Sequence, residues 1–291
     1  MSTMQRNLRT PLAGFVLALA LGAPLPALAD DELRICAEPD NLPFSNEQRQ
    51  GFENRIVEVI AEALQLKPVY YWQKQRQGFI RETLNAGLCD VVMGVPRGYQ
   101  RVKTTDAYYR SGYVWIARRD RGWVFESFDD PRLKTLKIGL HAIGNDGANS
   151  PPAAALAKRG IAENVVGYSL WGEQSQVNPQ GDIVEAVVNG DIDLAIVWGP
   201  IAGYFAKLHG DKLALGLLDA DPALPTMPFA YELTMGVRKS DAALAERLNA
   251  ALASKRQVID DILAAYRIPI APLNQQQHTA DAQSDGTEKI N

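Results

Sequence analysis

The chain has 291 residues, 46% of them apolar and 22% charged, which suits an ordinary soluble globule of two modest domains or one large one. A formal charge of −4 without a basic patch or basic amphipathic helix argues against nucleic acid and anionic lipid as partners. Two cysteines and three scattered histidines, His141, His209 and His278, argue against a zinc site.

Arg6 and Arg9 precede an apolar run from Leu12 to Leu21 that is too short to span a bilayer, and Ala27-Leu28-Ala29 is a small-x-small cleavage pattern. Residues 1–29 are expected to be a signal peptide cleaved after Ala29. The mature chain would then be periplasmic, with no membrane insertion.

Leu33 to Ala37 reads as a short strand, followed by the loop Glu38-Pro39-Asp40-Asn41-Leu42-Pro43-Phe44-Ser45-Asn46. Apolar residues at 52, 56, 59, 60, 63 and 64 predict an amphipathic helix from Phe52. Val69 to Trp72 is a second strand, Phe79 to Asn85 a helix stopped by Gly87, and Cys89 to Val95 a third strand. The alternating run Tyr113 to Ala117 predicts a strand leading to a crossover. Lys137 to Ala142 opens a second lobe, followed by a helix ending at Arg159 that Asn149 or Ser150 caps, with prolines in its first turn. A strand over Val165 to Leu170 and a helix over Asp182 to Asn189 lead into the apolar run that ends at Trp198-Gly199-Pro200. Tyr231 to Val237 is the return strand, helices start at Asp241 and about Arg256, and residues 274–291 read as a disordered tail.

Two stretches share one grammar. Gly87-Leu88-Cys89-Asp90 and Gly190-Asp191-Ile192-Asp193 each join a glycine stop to an acid and a short buried strand. The pattern predicts an α/β protein of two βαβ lobes, residues 30–119 with 230–273 and residues 120–229, joined by a two-segment hinge. Ligands bind beyond the carboxyl ends of such strands, so Pro96-Arg97 and Trp198-Gly199 are expected to face one central cleft. If the first three strands take the order 2-1-3, Cys36 and Cys89 lie on neighbours and a disulfide is expected, with two buried free thiols as the alternative.

Across residues 31–270 the chain resembles type II periplasmic solute-binding proteins. The resemblance rests on the Pro43-Phe44 loop, the Gly51-Phe52 helix start and Asp106-Ala107-Tyr108-Tyr109. Five stretches, in order, narrow it: Cys36 to Asn46, Gly51 to Arg55, Cys89 to Pro96, Gly144 to Pro152 and Val197 to Tyr204. These are similar to the J accessory proteins of methanol-dehydrogenase clusters. That resemblance implies an exported helper of a pyrroloquinoline-quinone (PQQ) alcohol dehydrogenase. PQQ and its calcium or lanthanide would belong to the partner, and no stably bound cofactor is expected here.

Amino-acid-binding relatives hold an α-carboxylate with an arginine after a threonine-proline-glutamate turn and an ammonium with an aspartate after the second-lobe strand. Here the turn reads Pro96-Arg97-Gly98-Tyr99-Gln100-Arg101, and Trp198 falls where the aspartate would be. Ordinary amino acids are therefore expected to bind poorly. A larger, flatter or more apolar cargo, or a protein segment, fits better.

The candidate cleft comprises Asn41, Pro43, Phe44, Trp72, Pro96, Arg97, Tyr99, Arg101, Asp146, Asn149, Trp171, Trp198 and Gly199. Phe44, Trp72, Trp171 and Trp198 would form an aromatic lining, with core packing as the alternative. Arg97 and Arg101 would grip a carboxylate, or else be solvated loop cations. Asp146 and Asn149 flank a helix start that could offer N–H groups to an anion, without the P-loop lysine. Asp129-Asp130 and Asp191/Asp193 match no EF-hand spacing, and no nucleophile elbow or triad is legible. A dehydrogenase accessory is the first expectation, a solute receptor for an ABC permease the second, an enzyme the last.

Overall fold

The structure is a computed structural model that describes residues 31–142, 150–170, 178–218 and 220–273. The expected signal peptide, the tail after 273, Asp146, Asn149 and Trp171 lie outside the described residues.

The first half begins with β1 (Glu32–Ala37), then the two-residue strands β2 (Asp40–Asn41) and β3 (Ser45–Asn46), and helix α1 (Phe52–Ala63). Strand β4 (Lys67–Trp72), the single turn α2 (Phe79–Glu82) and β5 (Val91–Pro96) follow. Strand β6 (Lys103–Arg118) then runs for 16 residues. The second half holds β7 (Ile138–Ala142), α3 (Pro151–Lys158), β8 (Val165–Ser169), α4 (Asp182–Asn189), β9 (Leu194–Trp198), α5 (Gly199–Lys207) and β10 (Leu213–Leu218). Strand β11 (Ala230–Val237) and helices α6 (Ala242–Ser254) and α7 (Arg256–Ala265) close the described chain.

Nine strands form one sheet in the order β4-β1-β5-β11-β6-β9-β7-β8, with β10 also on β6, and β2 and β3 pair in a separate two-stranded sheet. The order of the first three is the expected 2-1-3, parallel throughout, with Ile35 opposite Val91 and Cys36 opposite Val92. Cys36 and Cys89 form a disulfide with their Cα atoms 5.5 Å apart. Strand β6 links the two halves of the sheet. Its residues 103–112 pair with β11, residues 113–117 with β9 on one side, and residues 113–118 with β10 on the other.

Alternation along the strands builds a core on each face. In the first half Ile35, Val91 and Met93 pack with α1, α6 and α7, while Cys36, Val92 and Val95 pack against Phe79 and Leu84. In the second half Val114, Ile116, Ala195 and Val197 meet α4 and α5, while Trp115, Ala117, Leu194 and Ile196 meet Phe125, Phe128 and α3. Among the described residues no helix is long and apolar enough to cross a membrane.

Three elements depart from expectation. The sequence breaks strand β9 at Gly199-Pro200, yet α5 begins there, because proline fits a helix's first turn where its missing N–H has no partner to lose. Strand β10 has a half-buried, unalternating pattern at the edge of the sheet, and the 79–85 helix shrinks to one turn.

Arg159, the residue that ends α3, donates to Asp221 through Nη1 and Nη2 at 2.7 and 2.9 Å. Asp221 is 4% exposed, and its hydrogen bonds from Arg159 hold its carboxyl below the usual range. Asp221→Asn is expected to destabilise the fold by about 2 kcal/mol near neutral pH. A lowered carboxylate stabilises above its unfolded value and loses that contribution as pH falls through its folded one. The urea midpoints of the variant and the parent should therefore converge in acid.

Candidate functional site

A cavity of about 440 Å³ opens at the strand ends, with Pro96 of β5 and Trp198 of β9 in its wall. That volume lies within the range of small-molecule sites, roughly 300–1,000 Å³.

Phe44 reaches the cavity from the loop that crosses the cis Leu42–Pro43 bond. Backbone bonds hold the loop on the start of α1: Phe52 N donates to Pro43 O at 2.8 Å and Glu53 N to Phe44 O at 3.1 Å. Gly51 permits that approach, since a Cβ there would lie 1.9 Å from the Phe44 carbonyl oxygen. Asn54 Oδ1 accepts from Gly51 N at 3.1 Å and Asn46 N at 3.2 Å, so one side chain ties the loop to the helix cap. Asn41 also lines the cavity, and its Oδ1 accepts from Gln180 Nε2 at 2.8 Å. This joins the β2 loop to the segment before α4.

Trp198 stands edge-to-face with Tyr113 at 5.6 Å and Tyr231 at 5.8 Å, and all three rings line the cavity. Phe44 and Trp198 pack against the cores of both halves of the sheet. Tyr109 adds a further ring; it is 1% exposed, and its hydroxyl has no hydrogen-bond partner among the described residues.

The charged member of the lining among the described residues is Glu53, in the first turn of α1 and 8% exposed. Its Oε1 accepts from Tyr108 Oη at 2.9 Å, and that hydroxyl accepts from Gly94 N at 3.0 Å. Gly94 has φ +68°, and a Cβ there would lie 2.7 Å from Glu53 Oε1, so glycine meets both the left-handed backbone and the close carboxyl. Burial pushes the Glu53 carboxyl up to about 7, against the opposing hydrogen bond from Tyr108. Burial likewise raises the neighbouring Glu38.

Of the expected cleft residues, Asn41, Phe44, Pro96 and Trp198 line the cavity. Asp146, Asn149 and Trp171 lie outside the described residues, and the remaining six do not line it. Pro43 sits behind Phe44 as a backbone acceptor. Trp72 stacks on Tyr70 at 4.6 Å instead of joining the aromatic lining. Arg97 Nε donates to Glu232 Oε2 at 2.5 Å, and neither Arg97 nor the exposed Arg101 lines the cavity. Tyr99 lies in the same exposed turn. Gly199 serves close approach: a Cβ there would fall 2.6 Å from Ser111 Oγ and 2.7 Å from Gly112 O.

The chain is 32% identical over 272 residues to Protein MoxJ of Paracoccus denitrificans, covering 88% of this chain and 95% of that one. The crystal structure of periplasmic binding protein XoxJ from Methylobacterium extorquens AM1 has a TM-score of 0.68 at 31% identity, covering 83% of this chain and 100% of that one. MxaJ from Methlophaga aminisulfidivorans MPT has a TM-score of 0.72 at 28% identity, covering 82% and 100%. The model of the bacterial extracellular solute-binding proteins, family 3, matches residues 33–266. With the sheet order, the β6 link and a cleft at the strand ends, this chain belongs to that family of solute-binding proteins and has the type II periplasmic binding protein fold.

Proposed function

We propose that the chain is a periplasmic, non-catalytic accessory protein that binds a PQQ-dependent alcohol dehydrogenase and assists its maturation or activation. The observation that carries this reading is the match to MoxJ over most of both chains, joined to the sequence resemblance to J accessory proteins. The cleft agrees with it: Trp198 walls the cavity beside Tyr113 and Tyr231, and Arg97 is engaged by Glu232 instead of lining it. Export follows cleavage after Ala29. Residues 30–119 with 230–273 and residues 120–229 act as the two lobes of a clamp that hinges at β6 and β11.

A receptor delivering a small solute to an ABC permease is the second reading, favoured by the 440 Å³ cavity. The two part on what travels with the mature chain when a tagged form is recovered from periplasm in mild salt. A quinoprotein dehydrogenase is expected in the eluate, and its loss on Phe44→Ala and Trp198→Ala puts the interface at the cleft. Retention in both variants keeps the partnership and moves the interface elsewhere. A small molecule without any dehydrogenase overturns the accessory reading and leaves the receptor.

A further inference from the structure

Among the described residues five rings line the cavity, from Phe44, Tyr109, Tyr113, Trp198 and Tyr231, and Glu53 is the charged residue with them. No described arginine, lysine or histidine lines it. Glu53 takes a hydrogen bond from Tyr108 and has no ion-pair partner among the described residues. The buried Tyr109 hydroxyl beside it is also unpartnered there.

An ionised carboxylate in such a wall is satisfied most fully by a cation that the ligand itself brings. The faces of tryptophan and tyrosine rings carry negative potential and attract an ammonium group without asking it for hydrogen bonds. Carboxylate ligands, PQQ among them, meet only repulsion from Glu53. A zwitterionic amino acid satisfies Glu53 and then strands its own carboxylate.

We propose that the cleft is a binding site for a small organic ammonium ion without a carboxylate, with Glu53 as its counter-charge and Tyr113, Trp198 and Tyr231 as its aromatic wall. The site belongs to the chain alone and does not depend on the dehydrogenase partnership.

The sign of the pH dependence separates a cation from a neutral apolar ligand. A cation binds the ionised form of Glu53 and binds better as pH rises; a neutral ligand prefers the protonated form and does the reverse. The titratable groups around Glu53 are Tyr108 and Tyr109 of β6, Tyr70 of β4 and Glu38 after β1. The three tyrosines are raised by burial and stay neutral near pH 7, so Glu38→Gln serves as the control.

Titration calorimetry of the mature chain in phosphate buffer tests this with choline, tetramethylammonium and 3,3-dimethyl-1-butanol, the uncharged carbon isostere of choline. Choline should bind about tenfold more tightly at pH 8 than at pH 6, as follows for an acid titrating near 7. The neutral isostere should bind at least about tenfold more weakly than choline at pH 8. Glu53→Gln, which can still accept from Tyr108, should abolish the pH dependence, whereas Glu38→Gln should keep it. A melting midpoint of Glu53→Gln no lower than the parent's at pH 6 and pH 8 shows that lost binding is not lost folding. Equal binding of choline and its isostere, tighter binding at pH 6, or no binding of either cation at millimolar concentration overturns the proposal.

Discussion

Replacing Cys36 and Cys89 together by alanine should lower the stability of the folded chain by about 4 kcal/mol, read as a shift in urea midpoint. The bond joins residues 53 apart in sequence, and opening it frees that loop in the unfolded ensemble, where the loss of entropy on folding is then larger. Both sulfurs lie in the small core formed with Phe79, Ile80, Leu84, Val92, Val95 and Val102. The native structure should nevertheless persist, because the same corner is held independently. Asp90 accepts from Arg34 Nη2 at 2.6 Å and from Arg238 Nη2 at 2.8 Å, and Arg238 Nη1 donates to Cys89 O at 2.5 Å. Those bonds tie the start of β5 to β1 and to the end of β11 without the disulfide. The expected result is thus a lower midpoint with an unchanged far-ultraviolet spectrum. An unchanged midpoint under reducing conditions would show that the unfolded chain is already restricted at this loop.

The parts of the fold legible in the sequence were those with local grammar. The glycine-acid-apolar pattern located β5 and β9, and the 3.6-residue period located α1. The cysteine positions could be paired once the order 2-1-3 was assumed. Strand β6 was only partly legible, because Thr104-Thr105-Asp106 and Arg110-Ser111-Gly112 interrupt its apolar alternation. Its first ten residues are a strand because β11, more than a hundred residues later, pairs with them.

The site divides the same way. Phe44, Pro96 and Trp198 lie at a loop and two strand ends, where a ligand is expected. Tyr113 and Tyr231 meet Trp198 only through the crossover and the return strand. Glu53 carries a sequence signal of its own. It shares the buried stripe of α1 with Val57 and Ile60, four and seven residues on. A carboxylate on the apolar face of a helix is a group that folding alone disfavours.

That conflict has a measurable size. Glu53→Gln should stabilise the chain by about 3 kcal/mol at pH 8 and by almost nothing at pH 4.5. The carboxyl titrates near 4.5 when exposed and at about 7 in the fold, with burial as the main cause. A raised acid contributes its full share to stability below the unfolded value, where both states are protonated. That share is lost as pH rises through the folded value, because the native state must then ionise a buried group. Glutamine has the same shape, can accept from Tyr108 and never ionises, so the advantage of the variant grows across that window. Urea unfolding of both chains at pH 4.5, 6 and 8 measures it; parallel stability profiles would mean that solvent in the cleft already satisfies the charge. Read with the choline titration, the outcome is decisive for why an acid stands there. A residue whose removal strengthens the fold and weakens the capture of a cation is kept for the ligand, and the lost stability is restored when the cation binds.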